Sequence, residues 1–429
     1  MVETFKISAH WSAQEAVPCE PIDATFCALR LVINDQNVTS YSTSIGGEED
    51  HVEIPAYYLS EWIAENWWPL LWEPRKTEDS DAEDRDYRFR HSIRTAEHGF
   101  ALPNLSITPT GDVIQLFAKP REAQYADARF RAYVDFPAER EHVERQLSAF
   151  VDGTVERLAG CVGTPLQVAW KAIKETDQES VEFCRLMGAL GLSPYDANPS
   201  IEAAIDSASR ILTACQLLDL CLSSTPENVV KAAFAAATMR RAAESSPDID
   251  LSSLPPAPQD QVGGYAWRHG YKAAQSLRRH FGISEHDIDG ASIVFEKIGV
   301  VTDTNNHFSF QNSDLPISGE TEKRGHAGKL ILASSAKPTR RFAAARATFF
   351  FQTGESEDFR LITNAVTRDQ QASRAFAAEL LVPQSYLRQR AIGSRLSWDM
   401  ITKIADDAVV SPEVVKLQAT NCGLTFSAQ

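Results

Sequence analysis

The chain has 429 residues, 43% of them hydrophobic, and a formal net charge of −16, a size that allows two or three separately cored domains. It contains no run of 18 or more apolar residues, and its opening MVETFKISAHWSAQEAV has neither the basic nor the apolar region of a secretory signal. No membrane span and no secretory leader are therefore expected, and the expected location is the cytoplasm. The acidic balance disfavours broad association with nucleic acid, whose affinity is built from Lys and Arg meeting phosphates. Seven cysteines (Cys19, Cys27, Cys161, Cys184, Cys215, Cys221, Cys422) form no CxxC pair, which predicts reduced, mostly buried thiols rather than a disulfide frame or a zinc ribbon.

Residues 1–136 read as a β-rich N-terminal domain. Thr25 to Ile33 is rich in strand formers and runs into the turn cluster Asn34-Asp35-Gln36-Asn37. Leu105–Thr108 and Val113–Phe117 flank Pro109-Thr110-Gly111-Asp112 as a hairpin, and Phe130, Ala132, Val134 and Phe136 alternate with polar neighbours as one half-buried strand. Between the hairpins, Pro55 to Trp68 predicts a helix with Pro in its first turn. Trp62, Trp67, Trp68 and Trp72 cluster there; at least two are expected in the core, and a partner-binding surface is the functional alternative. Glu73 to Asp86 carries seven acids and reads as a solvated, mobile loop. The basic stretch after it, with Arg88, Arg90 and Arg94, either meets a partner's phosphate or packs against those acids.

From Pro137 the period becomes helical. Val143, Leu147, Phe150, Val151, Val155 and Leu158 mark one helix, Thr164-Pro165 caps the next, and Ile201–Leu222 and Glu227–Ala243 read as two apolar, buried helices. These form an expected helical domain, 137–246. The Pro-, Ser-, Asp- and Gly-rich stretch 247–263 reads as a linker. After it, Gly270 to Gly299 predicts a helix, a polar turn and a second helix. Val300-Val301, His307–Phe310 and Lys329–Ser335 suggest short strands, and Trp398 to Leu424 has helix-turn-helix spacing.

The segment Ala375-Phe376-Ala377-Ala378-Glu379-Leu380-Leu381-Val382-Pro383 resembles the FAAxLLMP signature that closes the peptidase core of the ImmA/IrrE family, zinc metallopeptidases that cleave repressors in bacteria and mobile elements. Upstream, Arg341 to Phe350 stands in register with that family's RFxxAHExxH helix. The resemblance covers roughly residues 264–425. Together with the β-rich N-terminal domain and the all-helical middle read above, it implies an overall α+β chain with a zincin-like domain at 264–392 and a helix-turn-helix-like element at 393–429.

The frame is kept and the chemistry is not. A zincin needs two imidazoles four residues apart and a Glu beside the first; here the ligand places hold Arg346 and Phe350, and the base place holds Ala347. The third-ligand place, at Gln370 to Ala372, has no carboxylate, and Asp369 lies one residue outside it. Arg has no lone pair to give and Phe has no ligating atom. A buried Arg346 requires a counter-charge, with Asp369 and Glu379 nearest in sequence.

The resemblance thus implies a protein without catalytic residues, metal or cofactor, acting as a binding or regulatory module toward a protein partner, in stress response or phage and mobile-element defence. Two rivals remain open. One is an active metallopeptidase using His326 with Glu355, Glu357, Asp358 or Asp369. The other is a DNA-binding regulator, disfavoured because its recognition helix would begin Pro412-Glu413 and offers one Lys416. The pairs His280/His286, His91/His98 and Cys215/Cys221 lack metal-pair spacing, and no GxSxG, GxxxxGK[ST] or GxGxxG motif occurs.

Overall fold

The computed structural model describes the chain except residues 1–4, 13–19, 77–80, 124–126, 197, 261–264, 301–314, 335, 356–357 and 427–429. The fold is mixed α+β, strand-rich at its N-terminal end and mainly helical beyond it. It divides into two compact units, Met1–Ala197 and Asn198–Gln429. The helices of 137–246, expected as one domain, are thus shared between the units rather than forming a third.

In the first unit, strands β1 (Phe5–Trp11) and β2 (Phe26–Ile33) pair antiparallel, and β3 (Val52–Pro55) adds to β2. The turn after β2 has positive φ at both Asn34 (47°) and Asp35 (64°), the geometry of a tight hairpin turn that Asn and Asp tolerate. Helix α1 (Ala56–Glu65) follows β3, and α2 (Trp67–Trp72) follows a break at Asn66. Trp62, Trp67 and Trp68 are buried in the core of this unit. From there they offer no surface to a partner, so the partner-surface alternative fails for these three.

The expected acidic loop is corrected in two respects. Residues 81–86 belong to helix α3 (Asp81–His91), and Glu73 is buried, held by Arg90 Nε at 2.7 Å and Nη2 at 2.6 Å and by His91 Nε2 at 3.1 Å. Burial raises the Glu73 carboxyl, but its bonds to Arg90 and His91 outweigh that and leave it below the ordinary range. Arg88 pairs with Asp84 at the surface. The basic stretch therefore meets its own acids, and Arg94 alone of the three arginines has none among the described residues.

Strands β4 (Asn104–Thr110) and β5 (Val113–Lys119) form the expected hairpin, and β6 (Val134–Glu139) pairs with β5. The single strand expected from Phe130 to Phe136 is two: Ala128–Phe130 pairs instead with Tyr41–Ser42. Helices α4 (Arg140–Arg157), α5 (Pro165–Lys174) and α6 (Gln178–Ala189) complete the unit, α5 with a full capping box from Thr164 and Gln167. Gly188 is needed where α6 crosses α2, since a Cβ there would lie 2.6 Å from the Trp68 carbonyl oxygen.

In the second unit the apolar run expected as one helix is two, α7 (Pro199–Ser209) and α8 (Ala214–Ser223), because Thr213 and Gln216 form a new capping box. Then come α9 (Val229–Glu244), β7 (Ile249–Asp250), α10 (Ala266–His280), α11 (Gly290–Ile298), β8 (Ile317–Arg324), β9 (Ala327–Leu332), α12 (Lys337–Thr353), β10 (Asp358–Thr363) and α13 (Arg368–Leu381). The chain closes with α14 (Gln384–Arg390), α15 (Trp398–Ala408) and α16 (Pro412–Asn421). Part of the expected linker is structured: β7 pairs with β9, and Leu251 is buried. The expected strands at Val300-Val301 and His307–Phe310 fall, Val300 apart, outside the described residues.

The four-stranded sheet runs β7–β9–β8–β10, with β10 at one edge. Because side chains alternate across a strand, its two faces carry different layers. Leu332 and Ile362 join the core formed with α10, α12 and α13. Glu320, one residue out of step, meets Gln216 on α8 and Arg240 on α9. Helix α12 carries the expected metal-helix positions into the core against α13, and α10 lies across α13 at Gly270, where a Cβ would sit 2.1 Å from the Ala372 carbonyl oxygen.

Candidate functional site

The positions singled out on α12 and α13 meet inside the second unit. Arg346, in the buried run 343–352 of its helix, is 2% exposed. Its Nε donates to Ser373 Oγ at 3.0 Å, and its Nη2 donates to the Thr363 carbonyl oxygen at 2.7 Å and to Gln370 Oε1. Gln370 is fully buried. Besides accepting from Arg346, its Oε1 accepts from the Thr363 peptide N–H at 3.2 Å. Its Nε2 donates at 2.6 Å both to the Leu361 carbonyl oxygen and to Asp219 Oδ2.

Two consequences follow. The Gln370 amide binds the edge of β10 as a peptide group of an added strand would, giving a donor to Leu361 and taking one from Thr363; this stretch of sheet edge is satisfied by the protein itself. The same amide also links a buried cation to a buried anion, with its oxygen toward Arg346 and its nitrogen toward Asp219. A second bond holds Asp219 in place, from Thr367 Oγ1 to Oδ1 at 2.8 Å.

The electrostatics agree with this arrangement. Arg346 is pushed well below its ordinary value by burial and then by Arg374, with Asp219 opposing. Arg374 donates to the Ala365 carbonyl oxygen at 2.8 Å and is lowered by burial to about 10. Burial raises Asp219 to about 6, against the pull of Gln370 and Thr367. At neutral pH the cluster sets the buried Arg346 and the half-buried Arg374 around one carboxylate.

The counter-charge expected from Asp369 or Glu379 is not there. Asp369 bonds Arg360 at 2.9 Å, and Glu379 bonds Gln275 at 3.0 Å and Gln418 at 2.8 Å. The reason is helical geometry: with Gln370 pointing inward, Asp369 points about 100° away and Glu379, nine residues on, about 180° away. Asp219 was the missed partner. A lone acid inside the apolar run ACQLLDLCLS is the signal that could have found it, since a buried charge needs a partner.

The other singled-out positions fall as follows. Ala347 is fully buried and Phe350 nearly so, its ring 6.0 Å from Phe349, so these two positions line an apolar part of the core. His326 is exposed in the β8–β9 turn, whereas Asp358 and Asp369 are both held by Arg360; Glu357 lies outside the described residues. His98 stacks on Tyr58 at 4.2 Å and does not approach His91, which stacks on Tyr87 at 4.0 Å. Among the described residues no three His, Cys, Asp or Glu side chains converge as metal ligands. The described cysteines are free thiols, four of the six buried. The outward face of α16 carries Glu413, Leu417 and Thr420 and no cation, apart from the half-buried Lys416, which pairs with Glu413.

A second buried charge cluster also went unforeseen. Glu320, 1% exposed in the middle strand β8, lies 3.0 Å from Arg240 Nη1 and accepts from Gln216 Nε2 at 3.3 Å. Its Oε2 has no hydrogen-bond partner among the described residues. Burial raises its carboxyl to about 7, against Arg240 and Gln216. Comparison of the chain with protein-family models, with curated proteins and with solved structures finds no match.

Proposed function

We propose that residues 264–425 keep the framework of an ImmA/IrrE-type zinc peptidase while the zinc place has become protein core, and that the protein acts without catalysis, as a binding or regulatory module for a protein partner in the cytoplasm. One observation carries this reading: the residue at the first imidazole place, Arg346, and the residue at the third-ligand place, Gln370, are hydrogen-bonded to each other and fully buried. Two helices that once shared a metal would bring those two positions together. With the imidazole and the acid gone, a guanidinium and an amide satisfy each other in the same space. Arg346 offers no lone pair, and both ends of the Gln370 amide are committed. The setting, stress response or defence against phage and mobile elements, comes from the resemblance alone.

Elemental analysis of the chain purified after growth in zinc tests the reading. Zinc well below one ion per chain is expected, with no change in melting temperature on adding a chelator. Near-stoichiometric zinc whose removal lowers the melting temperature would overturn it.

A further inference from the structure

We infer that the exposed face of α10 is a binding surface for single-stranded nucleic acid, with stacked aromatic rings beside a row of cations. The helix sequence, AWRHGYKAAQSLRRH, contains no acid at all, although acids outnumber bases over the whole chain. Its buried side is mostly small and apolar, with Ala266, Gly270, Ala273, Ala274 and Leu277 against the core, beside a buried Arg278 that donates to the Leu380 carbonyl oxygen. On the opposite side, Arg268, Lys272 and Arg279 are exposed at spacings of four and seven, so they form one row about 16 Å long. Among the described residues neither Arg268 nor Arg279 has a carboxylate partner.

One flank of this row is aromatic. Tyr265 and Trp267, both about half exposed, stack with ring centres 6.0 Å apart, and Trp267 meets Tyr271 edge-on at 5.6 Å. The Arg268 guanidinium lies 5.0 Å from the Tyr265 ring and 5.1 Å from the Trp267 ring. Tyr271 is fixed in orientation by Gln418 Oε1 at 2.9 Å and Asn421 Nδ2 at 3.3 Å, so the flank is already ordered. Rings for bases beside cations for phosphates are the parts from which sequence-tolerant single-strand sites are made.

Charge decides between occupants. A proline-rich peptide would use the rings and leave the row of cations without a role; an acidic duplex would use the cations and leave the rings idle, because its bases are stacked inside. Only a single strand uses both. The net charge of −16 weakens long-range attraction but does not cancel a local row of this kind.

The test is fluorescence anisotropy of a labelled oligothymidylate titrated with the full chain at about 50 to 200 mM salt. Binding that weakens with salt is expected. Arg268→Glu with Arg279→Glu should flatten the salt slope by about 0.7 for each phosphate no longer neutralised. Trp267→Ala should weaken binding at least roughly fivefold while leaving that slope unchanged. These side chains are exposed, and circular dichroism of each variant checks that the fold is kept. No binding at the lowest salt would overturn the inference. So would binding indifferent to Trp267→Ala, or binding of a duplex of equal length as tight as that of the single strand.

Discussion

Arg346 and Gln370, on two neighbouring helices, share a hydrogen bond in which the guanidinium donates and the amide oxygen accepts. Neither residue reaches solvent, so each depends on the other for a bond that water cannot replace. The amide passes the polarity on to Asp219. The three residues come from three helices, and the network ties α8 to α12 and α13 as well as filling the place between the last two.

Removal of the cation should therefore be costly. Arg346→Met is expected to destabilise the second unit by ~3 kcal/mol or more, since Thr363, Gln370 and Ser373 each lose a bond and Asp219 loses a nearby cation. Arg346→Met combined with Asp219→Asn should cost less than the sum of the two changes, because both act on one network. Urea unfolding of the four proteins measures this; strict additivity would show that Gln370 does not couple the two charges.

Glu320 predicts a pH dependence of definite sign. Its carboxyl is raised from 4.5 to about 7 in the folded chain, so between those values the folded state binds a proton that the unfolded state has released. Its contribution to stability is fully present below pH ~4.5 and is lost as pH rises through about 7. Glu320→Gln imitates the protonated form. The variant should thus gain stability over the parent as pH rises from about 5 to 8, a trend read from melting temperatures of both proteins across that range. A constant difference would show that Glu320 is ionised throughout.

In the first unit, burial separates two arginines that look alike in sequence. Arg90 holds a Glu73 side chain that is 7% exposed, whereas Arg88 and its partner Asp84 are 65% and 22% exposed. Arg90→Ala leaves the buried carboxylate with His91 alone and should cost ~3 kcal/mol. Arg88→Ala should cost ~0 to 1 kcal/mol. Thermal unfolding of the two variants gives the comparison, and equal losses would contradict the burial argument.

Where local chemistry was sufficient, the sequence could be read directly. The β4–β5 hairpin follows from period-two alternation around a Gly-Asp turn, and α5 begins at a capping box visible in Thr164 and Gln167. What could not be read is burial compensated from a distance. Strand β8 reads SGETEK and shows no apolar alternation, yet its Glu320 is buried because Arg240 and Gln216, more than 70 residues earlier, partner it. Glu73 appeared to open a solvated loop for the same reason, its partners being Arg90 and His91. Arg346 and Gln370 stand at two places that the resemblance marks for metal ligands, but their hydrogen bond to each other was not expected, and Asp219, 151 residues before Gln370, was missed because sequence proximity ranked Asp369 and Glu379 ahead of it.

The last prediction separates a lapsed metal framework from an ordinary core. Arg346→His with Phe350→His restores two imidazoles one helical turn apart on the same face of α12. Alone this pair should not retain zinc, because the third position still presents a neutral amide engaged with β10. Adding Gln370→Glu places a carboxylate where an amide already reaches the residue-346 side chain, completing the His, His and acid set of a catalytic zinc site. The three-residue variant should be less stable than the parent without metal, since Leu361 loses its donor and a second carboxylate is placed beside Asp219. Zinc should restore that stability, because the metal binds the folded state only. The measurement is melting temperature with and without zinc for the double and the triple variant. Stabilisation by zinc in the triple variant alone is the expected result. No response in either would mean that these helices do not hold a zincin's spacing, and the proposed kinship would lose its support.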